Sequence, residues 1–264
     1  MDKRYEILDR PEVLAAVFHP RPDLEPVPRN DCISDHQIPV DTDIRIGGRF
    51  HTHSQNGANL LFFHGNGEIV SDYDQLGPLF GKLNINLLAV DYRGYGRSNG
   101  EPTVSAMMSD CHRILAYVRE WSADQELSGP LIVMGRSLGS ASALELAAEH
   151  SDHIKGLIVE SGFAYAGPLL RLLGVDLDAI GFTEEEGFVN LQKISRYHSP
   201  TLIIHAEYDH IIPYGDGLAL YKASGAQDKQ LLKVEAANHN DILMRGFDSY
   251  MQSIERLAAR VAAR

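Results

Sequence analysis

From residue 36 onward, short apolar runs alternate with longer amphipathic ones, and this alternation limits the fold more than any other feature of the chain. Six runs stand out, at 60–63, 87–90, 131–134, 157–159, 202–204 and 231–234. Each is continuously apolar for most of its length, as strands buried on both faces of a parallel sheet must be. Between them the spacing predicts helices at 72–83, 104–121, 137–150 and 214–223. A last helix follows, in which Tyr250, Ile254, Leu257 and Val261 share one face. Ahead of the first run, 37–46 and 48–52 read as an antiparallel hairpin. The fold class is therefore α/β, a central and mostly parallel sheet with helices on both sides. Residues 36–264 form one domain. Residues 1–35 contain Pro11, Pro20, Pro22, Pro26 and Pro28. Proline breaks long helices, so this segment reads as an extended arm with about one helical turn. Residues 161–200, between two predicted strands, are too many for a simple crossover and read as a lid insertion over the carboxyl edge of the sheet.

Composition narrows the function classes. The 264 residues hold 36 Asp and Glu against 24 Lys and Arg, a net charge of −12. Such a surface repels phosphate backbones, so nucleic acid is not expected as a partner. No stretch approaches the 18 apolar residues of a membrane span, and the apolar run 13–18 is too short for a signal-peptide core. Cys32 and Cys111 are the only cysteines, which excludes a disulfide scaffold and fits two free thiols in a reducing compartment. A cytoplasmic protein without a stable membrane anchor is the expectation.

The chemistry is concentrated at Gly135-Arg136-Ser137-Leu138-Gly139, which follows an apolar run and opens an Ala-rich stretch. G-x-S-x-G needs this strand–turn–helix context, because the serine must sit in a sharp, strained turn with small neighbours two residues away on each side. Serine alone is a poor nucleophile at neutral pH and requires a base and a group to orient it. In this architecture the acid and then the histidine follow the serine along the chain. Asp209 and His239 each lie just past a predicted strand, on the same sheet edge as Ser137. Asp91, Asp216 and Asp241 are the rival carboxylates. Asp91 precedes the serine and is expected to bind backbone in the glycine-rich loop after it. An acyl-transfer site also needs oxyanion donors, which are assigned to the backbone N–H groups of Leu138 and of Asn66 in the His64-Gly65-Asn66-Gly67 loop.

Other candidates are weaker. His64 sits in the proposed oxyanion loop and is read as loop-shaping, while His205 and His210 flank Asp209. His51 and His53 share a strand face but lack a third nearby metal ligand, so no metal site is assigned. Gly94, Gly96 and Gly100 do not complete a dinucleotide loop, and no phosphate-loop motif occurs. Arg93, Arg97 and Arg136 could bind a substrate anion, but pairing with nearby acids, partly exposed, is the preferred reading.

Taken together, residues from about 36 to 260 resemble the α/β-hydrolase superfamily. They are most similar to its small lipase-like, S33-peptidase-related members, including the BEM46-type proteins and palmitoyl-protein thioesterases with an HGN loop. The motifs are FHGNG at 63–67, DYRGYGRSNG at 91–100, GRSLG at 135–139, EYDHIIP at 207–213 and NHND at 238–241. The resemblance implies a sheet of about eight strands and a Ser137–His239–Asp209 triad. It further implies cleavage of a carboxylic ester, thioester or amide through an acyl-enzyme, without a cofactor. A small-molecule ester or thioester is the expected substrate. The alternatives are an S33-like peptidase or amidase, for which Glu184-Glu185-Glu186 is a faint hint of a grip on an amino terminus, and a non-catalytic binding protein on the same fold.

Overall fold

Eight strands form one sheet, and their order places every predicted site residue at one edge. In the computed structural model, which describes residues 5–26 and 30–263, these are β1 (Ile33–Pro39), β2 (Arg45–His51), β3 (Ala58–Phe63), β4 (Ile85–Val90), β5 (Leu131–Arg136), β6 (Gly156–Glu160), β7 (Thr201–Ala206) and β8 (Lys229–Val234). The spatial order is β1-β2-β4-β3-β5-β6-β7-β8. β3 to β8 run parallel, while β2 pairs antiparallel with both β1 and β4. The six central apolar runs are all strands, and β3, β4, β6 and β7 are buried along their whole length. β8 is an edge strand and carries Lys229, Gln230 and Lys233 beside its leucines, the polar dilution expected where one side lacks a partner strand.

The helices are α1 (Pro11–Val17), α2 (Gly77–Lys82), α3 (Val104–Asp124), α4 (Gly139–Glu149), α5 (Ala166–Leu172), α6 (Leu177–Ile180), α7 (Asn190–Ser195), α8 (Tyr214–Ala223) and α9 (Ile242–Ala262). Strand residues alternate between the two faces, and the core divides accordingly. Val133 of β5 joins Val104, Ile114, Leu144 and Leu220 on one face. Ile132 and Met134 join Phe80, Ile254 and Leu257 on the other. Among the described residues no helix is long and apolar enough to cross a membrane.

Three local expectations change. The hairpin turns earlier than predicted: β1 ends at Pro39, and Val40 N–H bonds the Ile44 carbonyl at 3.1 Å to close the turn. The helix expected at 72–83 is split into a 3-10 turn, Val70–Tyr73, and α2. Pro78 stands at the second position of α2; proline is tolerated in a first turn but not inside a helix, so the helix begins there. Within the proposed arm, 11–17 form a helix with proline at its first position, and Leu8, Val13 and Val17 are buried in the core. Residues 1–4 and 27–29 of that arm lie outside the described residues. The 161–200 excursion folds as α5, α6, a 3-10 turn at Glu184–Glu186 and α7.

Candidate active site

Ser137 sits between β5 and α4 with φ +50°, in the left-handed region that non-glycine residues rarely occupy. Holding such a conformation costs about 1–3 kcal/mol. The flanking glycines are forced by packing. A Cβ on Gly135 would lie 2.3 Å from the Gly139 carbonyl oxygen, and one on Gly139 would lie 2.2 Å from that of Phe63. The Ser137 N–H donates to the Glu160 carbonyl at 2.8 Å, which fixes the turn to β6. The helix expected from residue 137 therefore starts at Gly139.

The structure brings Ser137, His239 and Asp209 together. The loop after β8 carries His239, whose Nε2 lies 3.1 Å from Ser137 Oγ and whose Nδ1 lies 2.7 Å from Asp209 Oδ2. With Nδ1–H donating to the carboxylate, Nε2 is left as the acceptor facing the serine hydroxyl. The loop after β7 carries Asp209, and its other oxygen accepts the N–H groups of Ile211 (3.0 Å) and Ile212 (2.8 Å). Burial works to raise this carboxyl, but the His239 bond and the two backbone donors outweigh it and hold it below its ordinary value of 3.8. Below it His205, also buried, faces the Ile212 carbonyl at 2.8 Å, and burial lowers its pKa.

The rival carboxylates have other partners. Asp216 accepts the Ala164 N–H at 2.8 Å, where the insertion begins, and Asp241 accepts the Asn238 N–H at 2.7 Å. Asp91 departs from expectation: it accepts the Val70 N–H at 3.0 Å and meets His64 at 3.2 Å. Its other oxygen packs on Gly96, where a Cβ would lie 2.1 Å away, so the glycine loop wraps the carboxylate instead of donating to it.

The loop after β3 is held from several sides. Tyr92 donates to the His64 carbonyl at 2.6 Å, and the Gly65 N–H donates to Glu68 Oε2 at 2.6 Å. The Asn66 side-chain oxygen accepts the His19 N–H (2.9 Å) and the Tyr95 hydroxyl (2.6 Å). Arg21 Nε donates to the Gly67 carbonyl at 2.7 Å. The backbone N–H groups of Asn66 and Leu138 donate to nothing among the described residues, and both residues line the same cavity as Ser137.

That cavity is about 180 Å³, with walls from Val17 of α1, Phe163, Leu169, Leu170 and Leu173 on and after α5, and Phe188. Glu184 accepts the Gly167 (2.7 Å) and Ala166 (2.9 Å) N–H groups, so its charge caps the first turn of α5. Arg93 pairs with Asp110 through two bonds of 2.7 Å, and Arg97 with Asp23 at 3.1 Å. Arg136 also pairs with acids but is buried against the cavity, not partly exposed as expected. His51 and His53 pack on α2, where a Cβ on Gly77 or Gly81 would lie 2.2 or 2.6 Å from an imidazole. Glu68, Val17 and His19 belong to the site and were not foreseen; the one sequence signal for Glu68 was its place directly after the HGNG loop.

Comparison with known proteins agrees with this architecture. A family model described as serine aminopeptidase, S33, matches residues 54–174. The human alpha/beta hydrolase domain-containing protein 17B is 33% identical over 207 residues, covering 75% of this chain and 64% of that protein. Its Xenopus laevis counterpart is 33% identical over 215 residues, covering 77% and 66%. The chain thus spans just under two thirds of the length of these relatives. Among solved structures, the Pyrococcus furiosus esterase Pf2001 superposes with a TM-score of 0.72 at 17% identity, covering 91% of this chain and 98% of that one. A Paleococcus ferrophilus monoacylglycerol lipase superposes with a TM-score of 0.61 at 17% identity, covering 83% and 99%. At that identity the structures speak to the fold alone. Strand order, the strained serine turn and these relatives agree: the chain belongs to the α/β-hydrolase superfamily.

Proposed function

We propose that this chain is a serine hydrolase that cleaves a carboxylic ester or thioester through an acyl-enzyme. The observation that supports it best is the unbroken hydrogen-bonded line Asp209–His239–Ser137 opening into a mostly apolar cavity. In this reading Ser137 Oγ attacks the acyl carbonyl while its proton passes to His239 Nε2. Asp209, charged and held by two backbone donors, keeps the imidazole in the accepting tautomer and stabilises its positive form. The N–H groups of Asn66 and Leu138 receive the oxyanion. His239 then protonates the leaving group, and water, activated by the same imidazole, releases the acid.

The cavity sets the acyl size. An apolar cavity of roughly 150 Å³ holds a benzene ring, so about 180 Å³ suits an acyl chain of medium length. Its aliphatic and aromatic walls favour such a chain over a charged amino terminus. Glu184, the head of the acidic run that hinted at a peptidase, is committed to capping α5. The test is hydrolysis of p-nitrophenyl esters from acetyl to palmitoyl, beside amide substrates, with wild type and Ser137→Ala. The reading expects a peak at medium chain length and a loss of turnover on the order of 10⁵–10⁶-fold in the variant. Background rates on every ester, or faster cleavage of the amides, would contradict it.

A further inference from the structure

One guanidinium links the oxyanion loop to the histidine loop. Arg136 is the residue before the serine. Its Nε donates to Glu68 Oε1 (2.9 Å), Nη1 to Glu160 Oε1 (2.8 Å) and Nη2 to the His239 carbonyl (3.1 Å). Each carboxylate is bound again on its other oxygen. Glu160 Oε2 accepts the Tyr250 hydroxyl of α9 at 2.6 Å. Glu68 Oε2 accepts the Gly65 N–H at 2.6 Å and the Tyr73 hydroxyl. A planar fork with donors in fixed directions can satisfy three acceptors at once, which a lysine ammonium on a flexible stem does not reproduce.

We propose that Glu68 and Arg136 are positioning residues for the acyl-transfer step, Glu68 aiming the Asn66 N–H and Arg136 fixing the His239 loop. The inference rests on the serine-hydrolase reading and adds to it. Glu68 takes up the Gly65 N–H, so that donor turns away from the substrate and the next one, on Asn66, is left for the oxyanion. Arg136 ties the same carboxylate to the backbone of the base. Both loops are thereby referred to one rigid group adjacent to the nucleophile. Burial opposes the charge on Glu68, yet the guanidinium and the Tyr73 hydroxyl keep its pKa below 4.5, so it acts as a carboxylate with three donors around it.

Glu68→Gln tests this directly. An amide has one acceptor oxygen; its NH₂ must then face either the Arg136 Nε–H or the pair formed by the Gly65 N–H and Tyr73 hydroxyl. One link breaks while volume is conserved. The measurement is kcat per active site titrated with a fluorophosphonate, together with KM and inhibition by an alkyl boronic acid. The expectation is a fall in kcat of about 10–100-fold, short of the full loss of an oxyanion donor. KM should stay within about twofold, and boronate binding should weaken in step with kcat/KM. Arg136→Lys should behave alike. If either variant does not fold, Tyr73→Phe, which removes one donor from Glu68, is expected to lower kcat several-fold with KM unchanged. Wild-type kcat per titrated site in the folded variants would overturn the positioning role while leaving the serine mechanism standing. A wild-type enzyme that neither turns over esters nor takes up the fluorophosphonate would overturn the underlying reading as well.

Discussion

The sheet edge that carries Ser137, Asp209 and His239 and the helical roof over it are built on different principles. At the edge Ser137 and Asp209 are fixed by bonds to backbone groups, and the His239 loop by the Arg136 guanidinium. Ser137 is bound to the Glu160 carbonyl, Asp209 to two consecutive N–H groups, and the flanking glycines leave no room for a methyl group. The roof is made of short pieces, α5 of 7 residues and α6 of 4, and Leu172 and Leu173 at its rim are exposed. Helices this short draw their stability from packing, not from their own propensity. The contrast separates two properties. On the proposed function, chemistry resides at the tightly bonded edge and substrate choice where the roof's side chains define the space.

Disturbing the edge should cost the most. Asp209→Asn leaves the volume intact but permits the wrong imidazole tautomer, and kcat should fall about 10⁴-fold with KM little changed; steady-state kinetics on a medium-chain ester checks it. Gly135→Ala should lower stability by about 3 kcal/mol or more, because its Cβ meets backbone that cannot rotate away. A denaturant midpoint reads that loss.

Acid tests the fold that underlies both regions. Burial depresses the pKa of His36 and of His51 from 6.5 to about 4, so between those pH values both are neutral in the fold but charged in the unfolded chain. The stability they contribute is complete above pH 6.5 and declines as pH falls toward 4. The His239 bond and the two backbone donors lower the Asp209 pKa from its ordinary value, against the effect of burial. Melting temperature should therefore drop between pH 6.5 and 4 in wild type, and the drop should shrink in a His36→Gln variant. An unchanged slope would remove His36 from the account.

Disturbing the roof should cost least and alter a different quantity. Leu169→Ala enlarges the cavity without touching the serine, so the preferred acyl chain should lengthen by about one or two carbons, a several-fold change in the ratio of kcat/KM values. A proportional loss on every ester would mean that the roof also holds the reacting groups.

The same division decided what could be read from the chain. The strands were legible because burial on both faces makes each run continuously apolar, and the serine because G-x-S-x-G between a strand and a helix has few other physical uses. Asp209 and His239 followed from their places beyond β7 and β8. What escaped reading depends on partners distant in sequence. α1 looked like part of a free arm because nothing near it says that Val17 meets α5 and that His19 meets Asn66. Arg136 looked like a partly exposed ion-pairing residue, and only the folded chain brings Glu68, Glu160 and the His239 carbonyl around it. The split before α2 was readable in principle from Pro78, but the apolar spacing across it masked the break.

The most direct test of the central claim is fluorophosphonate labelling followed by peptide mapping, with wild type, Ser137→Ala and His239→Ala side by side. The account predicts one adduct on wild type, located on Ser137, none on Ser137→Ala, and labelling slowed by orders of magnitude in His239→Ala. An adduct on another residue, or none on a folded wild type, would contradict it.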